Sequence, residues 1–236
     1  MEISVADAAA RLGLSEPRVR QLLSSGDLAG RRLGRSWLVS DESVVQLQQR
    51  GRPSGRPLGP RRAWGLLDLL ADGQAAWLAP SARSQLRAGV QRLADAPPDK
   101  WRAALRGRSR LFRCQIHPAG ISRLVSREGV LPAGMAVVAG RPFDLVSVPR
   151  EVDQVYADPA VWPGISRALA VREAGPGNPG LVPNMTVHLP RIPWPFDQRA
   201  ELPDSVLAAD LLDSPEPRAI KAGAERLSEL LKEHLA

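Results

Sequence analysis

Nine polar side chains near the start of the chain have the types and spacing to do chemistry on a nucleic acid. Arg18, Arg20, Gln21 and Ser24 fall on the outer side of a short helical run, EPRVRQLLS, whose Val19, Leu22 and Leu23 point the other way. An Arg fork matches the two acceptors of a guanine edge, and a Gln amide matches the donor and acceptor of adenine, so such a face suits the major groove. Arg31, Arg32 and Arg35 lie on or at the tip of an apparent hairpin, where guanidinium groups suit phosphates. Arg52 and Arg56 each stand in a Gly-Arg-Pro triplet. Extended backbone of that kind can lay Arg into a narrow A·T-rich minor groove, or it can serve as a stiff, soluble linker.

Other chemistry finds little support. His117, His188 and His234 lie far apart, with no HExxH or paired-ligand spacing, so no metal is expected. There is no GxSxG elbow, P-loop or GxGxxG after a strand, which argues against an enzyme and against a bound cofactor. Asp210 and Asp213 share one helical face and read as a solvated edge near a cap. Trp194, between Pro193 and Pro195, reads as a loop anchor rather than a base-stacking platform. Cys114 is the single cysteine, which rules out an internal disulfide framework and suits a small core residue. MEISVADAAARLG begins with an acid and is amphipathic, unlike a signal peptide, and no apolar run approaches 18 residues. A cytoplasmic protein without membrane contact is the expectation.

The elements that must position the arginines are legible. Ser4 caps a first helix with Asp7 three residues on, and Val5, Ala8, Ala9 and Leu12 make its apolar face. Gly13 stops it, Leu14 plugs the turn, and Ser15 opens the second helix, which Gly26 ends. Two helices about a three- to four-residue turn holding Gly have helix-turn-helix spacing, although a plain helical hairpin with a charged face fits the helices alone. Residues 28–32 and 36–39 read as strands about Leu33-Gly34-Arg35. Ser40 caps a third helix in which Val44, Val45 and Leu47 close a small core, with Trp37 beneath the hairpin.

The string ISVADAAARLGLSEPRVRQLLSSGDLAGRRLGRSWLVS resembles the excisionase-like, MerR-type winged helix-turn-helix. The AAxxLGLS turn, the VRQLLxxGxL run and the GRxWLV second strand carry that likeness over residues 3–49. It implies a recognition helix at 16–24 and a DNA-contacting wing near Arg31, Arg32 and Arg35.

Beyond a basic Pro/Gly segment at 51–62, the pattern changes. Trp64, Leu66, Leu67 and Leu70 stripe a helix from residue 63, residues 80–93 suggest a second helix capped by Ser81, and 99–107 suggest a third. LFRCQIH alternates as a strand, 118–129 suggests a short helix, and 135–140 and 144–148 suggest strands. Residues 149–157 and 159–171 look helical, and 181–189 looks extended. The tail reads as two helices, one striped by Leu207, Leu211 and Leu212, the other capped by Ser214 with Pro215 first. The class is therefore α+β: a winged helix-turn-helix (1–50), a basic AT-hook-like linker (51–62), and a helical segment with a small α/β domain ending in a helical hairpin (63–236).

The strand NMTVHLPRIPWPF followed by AADLLDSPEPRAIKAG is similar to the C-terminal domain of abortive-infection type IV antitoxins. That resemblance implies a repressor of its own operon, with a nucleotidyltransferase-class toxin as partner. The front end differs from the winged helix usual in that family. Two other roles stay open: a toxin-neutralising interaction protein with secondary DNA contact, and an excisionase-type recombination factor. Double-stranded DNA is the expected partner of the arginine-rich face, with a homodimer on an inverted repeat. Net charge is +5 over residues 1–62, +7 over 63–150 and −5 over 151–236, so the front two-thirds is expected to attract polyanions.

Overall fold

The computed structural model describes residues 2–24, 28–34, 36–49, 57–145, 150–174, 178, 181–196, 199–214 and 216–235. The chain begins with β1 (Glu2–Ser4), α1 (Val5–Leu12), α2 (Glu16–Ser24), β2 (Gly30–Leu33), β3 (Ser36–Ser40) and α3 (Asp41–Gln49). The three strands form an antiparallel sheet in the order β1-β3-β2. Its β1 strand precedes the first helix and has no period-2 signature over three residues. Val5, Ala8, Ala9, Val19, Leu23, Leu28, Val39 and Val44 form one buried cluster. Val45, expected in that core, is instead exposed, because it follows Val44 on the far side of a helix that buries a single stripe.

The remaining elements are α4 (Pro60–Leu69), α5 (Pro80–Val90), α6 (Pro98–Leu105), β4 (Ser109–Gln115), α7 (Pro118–Val125), β5 (Val130–Ala133), β6 (Gln154–Ala157), α8 (Trp162–Ala168), β7 (Arg172–Glu173), β8 (Met185–Pro190), α9 (Asp204–Leu211) and α10 (Pro217–Leu235). A five-stranded sheet runs β5-β6-β8-β4-β7, antiparallel except for the parallel β6–β8 pair. Period-2 alternation splits its residues between two layers. Val155, Ala157, Met185, Val187 and Cys114 pack with Leu124, Trp162 and Ile165 of α7 and α8. Leu131, Ala133 and Tyr156 face the other way, against α4, α6, α9 and α10. The sheet's margins are short: β7 has two residues, and β5 carries Pro132, which limits pairing with another chain. The fold is α+β.

Several expected elements sit elsewhere. Residues 60–62 belong to α4, because Pro60 occupies its first turn, where a missing N–H costs nothing. Pro80 starts α5 for the same reason, with Ala79 at the cap position and no side-chain cap, so Ser81 lies inside the helix. The strand expected at 135–140 is displaced to β5, and Gly134–Val137 is a single 3-10 turn. Residues 154–157, expected to be helical, form β6; QVYA is short enough that its apolar spacing suits either period. The helix expected at 159–171 is confined to α8, since Ala170 turns back at φ +48°. In the strand expected at 144–148, residues 144–145 are irregular and 146–148 lie outside the described residues. Pro215 and Gly26 lie there too, while the Ser214 hydroxyl accepts from the Glu216 amide at 3.1 Å, just ahead of α10.

Helix α9 is buried on every side from Ser205 to Leu211. Asp210, expected at a solvated edge, is therefore enclosed, with only 2% of its side chain exposed. Its Oδ1 accepts from Arg108 Nη2 at 2.8 Å and from the Tyr156 hydroxyl at 2.7 Å. Arg108 also donates to the Ala209 carbonyl (3.2 Å) and to Asp213 (3.0 Å). His188, on β8, lies at 4.7 Å ring to ring from Tyr156 and bonds Gln154 at 3.1 Å. Helix α10 approaches α9 so closely that a Cβ on Gly223 would stand 2.5 Å from the Ala208 carbonyl oxygen.

Two outcomes follow from this enclosed charge. Asp210→Ala leaves the buried Arg108 guanidinium with Asp213 as its remaining carboxylate and the Tyr156 hydroxyl without its acceptor, and a loss of about 3 kcal/mol in denaturant unfolding is expected, the low end for a broken buried pair. Burial, opposed in part by Asp210, lowers the His188 pKa from its usual 6.5, so the folded chain holds that ring neutral. The unfolded chain takes up the proton first, so this contribution to stability is complete above pH 6.5 and is lost as pH falls below it. Thermal unfolding across this range should show the decline, and His188→Gln should flatten it relative to the unaltered chain.

Candidate nucleic-acid interface

The interface begins with the turn between α1 and α2. The Ser4 hydroxyl accepts from the Asp7 amide at 3.1 Å, fixing the start of α1. Gly13 ends the helix at φ +59°, a left-handed conformation that glycine adopts freely. The Leu14 amide then donates back to the Ala9 carbonyl at 3.0 Å, which sets the angle at which α2 departs. Val19 and Leu23 are buried against α1, so the opposite face of α2 is turned to solvent.

That face carries Arg18, Arg20 and Gln21, all exposed. Arg18 Nη1 donates to Gln21 Oε1 at 2.5 Å, and Arg20 pairs with Glu16 one turn back at 2.6 Å. Such exposed contacts hold side chains loosely and are worth about 0–1 kcal/mol each, so a phosphate or base edge can displace them. Ser24 is the last residue of α2.

The wing is the β2–β3 hairpin, turned by Gly34 at φ +60°. Arg31 reaches across β3 to Glu2 on β1, with both Glu2 oxygens accepting at 2.8 Å. That bidentate pair holds the Glu2 carboxyl below its usual pKa and raises that of Arg31. Arg32 faces Trp37 in register, its guanidinium 5.9 Å from the ring centroid. Trp37 is half-buried against the N-terminal core, under the hairpin as expected. Leu33, at the tip, is 58% exposed. Arg35, Arg52 and Arg56 lie outside the described residues. Recognition-helix and wing arginines thus belong to one small unit, whose helix, hairpin and α3 are tied together by the Ala29 amide on the Ser43 hydroxyl (2.9 Å) and by Gln48 on the Arg11 carbonyl (2.7 Å).

Residues 2–52 match the helix-turn-helix domain family. The N-terminal unit is a helix-turn-helix domain. No curated protein and no solved structure matches the chain. Among the described residues no group of three or more His, Cys, Asp or Glu side chains is placed to hold a metal ion, and no helix is long and apolar enough to cross a membrane. Cys114, on β4 between β7 and β8, is buried against the α7–α8 layer, and burial, reinforced by Glu173, pushes its thiol up to about 12. It acts as a core residue. Trp194 packs edge-on to Phe196 at 4.8 Å, which suits a loop anchor.

Gly30 carries no signal in the sequence pattern, yet it sets how the wing meets the recognition helix. A Cβ there would stand 2.5 Å from the Leu38 carbonyl oxygen and 2.7 Å from Leu23 Cδ2 of α2. Gly30→Ala is expected to push the hairpin away from α2 and cost about 1–3 kcal/mol locally. Amide hydrogen exchange at β2 and β3 should accelerate while that of β4 and β8 stays unchanged.

Proposed function

We propose that this protein is a sequence-specific DNA-binding transcriptional regulator, and a binding protein rather than an enzyme. Residues 1–50 act as the DNA-binding domain, 51–59 as a basic connector, and the chain from α4 onward, 60–236, as a second domain. The observation that carries this reading is the exposed Arg18-Arg20-Gln21 face on the second helix of a helix-turn-helix domain, beside a wing bearing Arg31 and Arg32. Arg18, Arg20, Gln21 and Ser24 approach base edges in the major groove. Arg31, Arg32 and Arg35 hold phosphates, and Arg52 and Arg56 follow the backbone or enter the minor groove. One module of this size covers little DNA, so a homodimer on an inverted repeat supplies the affinity.

The finer role we infer is that of a cytoplasmic antitoxin repressing its own operon and countering a nucleotidyltransferase-class toxin. Support for it comes from two stretches, NMTVHLPRIPWPF and AADLLDSPEPRAIKAG. In the fold these are β8 with the loop after it, and the α9–α10 corner that houses Asp210. Co-purification with the product of an adjacent gene is the direct check on that role.

DNA binding is tested by fluorescence anisotropy on a duplex taken from upstream of the gene. Arg20→Ala is expected to weaken specific binding by about 1–3 kcal/mol while leaving binding to unrelated duplexes nearly unchanged. Equal affinity of the variant for the specific duplex would remove α2 from the role of reader.

A further inference from the structure

An open cleft of about 320 Å³ lies between α4 and the loop that follows β8. Arg61, Asp68, Trp77, Trp194, Pro195 and Arg199 are among its lining residues. We propose that it binds a small aromatic carboxylate, the ring held by Trp77 and Trp194 and the carboxylate by Arg199 and Arg61.

The walls have the character of a formed site. Trp64 and Trp101 are fully enclosed in the core, whereas Trp77 and Trp194 are only half-buried and both border the cleft. Tryptophan left half-open beside a concavity offers a large apolar surface with a polar edge. Both are fixed by packing. Trp194 stands edge-on to Phe196 at 83°, and Phe196 is buried among Trp64 and Tyr156. The Trp77 indole donates to the Arg61 carbonyl at 3.3 Å, and Arg61 donates in return to the Trp77 carbonyl. The Trp194 indole N–H has no hydrogen-bond partner among the described residues, which leaves a donor for a ligand.

Charge selects the ligand's sign. Among the described lining residues two guanidinium groups stand against one carboxylate, and that carboxylate is already engaged, since Asp68 Oδ2 accepts from the Ala75 amide at 2.8 Å. Asp68 Oδ1 lies 3.9 Å from Arg199, a loose pair with the Arg199 side chain 38% exposed. A pair so long and so wet holds Arg199 weakly, while a ligand carboxylate can meet it in bidentate fashion. Size then limits the body. The volume is at the low end for small-molecule sites and suits one ring or a fused pair rather than a peptide or dinucleotide.

The test uses the full chain with nitrogen-15-labelled indoles, titrated with indole-3-acetate and, separately, with uncharged 3-methylindole. Of the six tryptophan resonances, the two assigned to Trp77 and Trp194 by their Phe variants should move saturably with indole-3-acetate. The neutral analogue should bind about two- to fivefold more weakly, and Arg199→Gln and Arg61→Gln, both at exposed positions, should each reduce affinity by a similar factor. No saturable shift at millimolar ligand would overturn the proposal, as would equal binding of the neutral compound or unaltered affinity in both folded Arg variants. Adenosine monophosphate run in parallel distinguishes the anion: tighter binding than indole-3-acetate would replace the carboxylate assignment.

Discussion

Asp210 carries its carboxylate on a helix with no solvent face, and most of the second unit is arranged around that fact. A buried carboxylate without partners would cost several kcal/mol, and here two neighbours converge on one of its oxygens, Oδ1. Arg108, 102 residues earlier in sequence, supplies the countercharge, and Tyr156, 54 residues earlier, supplies a hydroxyl. These two partners stand at opposite places in the fold: Arg108 leads into β4, and Tyr156 sits in the middle of β6. The three side chains therefore pin α9 to the sheet at a single register. Small residues complete the fit. Ala208, Ala209 and Gly223 let α9 and α10 approach, and the Ser205 hydroxyl closes on the Leu67 carbonyl at 2.7 Å. Trp64 adds a further tie, its indole donating to the Arg108 carbonyl at 2.8 Å.

The helix-turn-helix unit is built on the opposite plan. Its core is apolar throughout, and its ion pairs all lie at the surface, among the described residues. Arg11 meets Asp41, Arg20 meets Glu16 and Arg31 meets Glu2. Buried charges define a fold and are hard to give up, whereas exposed pairs are weak and exchangeable. The arginines of α2 and β2 belong to the second class. Glu16 holds Arg20 through a pair at 2.6 Å, while Glu2 holds Arg31 through two contacts at 2.8 Å, both at the surface.

What the sequence can express depends on how local the determining interactions are. The capping of α1 by Ser4, the stop at Gly13, the apolar stripe of Val19 and Leu23 and the Gly34 turn are all decided within a few residues, and they are legible. So are the strand around Cys114 and the broad apolar face of α4. Elements set by distant partners are not. QVYA becomes β6 because β8 and β5 flank it, and VLPA, not MAVVAG, is the strand because Gly134 at φ +72° turns the chain immediately after Ala133. Asp210 passes for a solvated residue only if its helix is taken as amphipathic. The residues of VLAADLL are apolar or small on every side of α9 apart from Asp210 itself, and a charge inside such a helix signals a buried partner. The role of Gly30 depends on Leu23 and Leu38, which no local pattern links to it.

The same long-range pairing changes what the charge distribution means. Along the chain, residues 63–150 carry +7 and residues 151–236 carry −5, a pattern that by itself has the middle segment joining the N-terminus in attracting polyanions. Folding brings these two segments together as one body. Arg102 and Arg108 face Asp213 and Asp210, and Arg141 faces Glu201 and Asp204. Asp204 is shared with Arg226 of α10. Three of the middle segment's twelve arginines thus face acids of the tail among the described residues, and residues 63–236 together carry a net charge of only +2. Residues 1–62 carry +5 over about a quarter of the length, and Arg11, Arg18, Arg20, Arg31, Arg32, Arg61 and Arg62 among them are exposed. Net positive charge per residue is therefore greatest in residues 1–62, the part of the chain that holds the helix-turn-helix domain, and a polyanion is attracted there more than to residues 63–236.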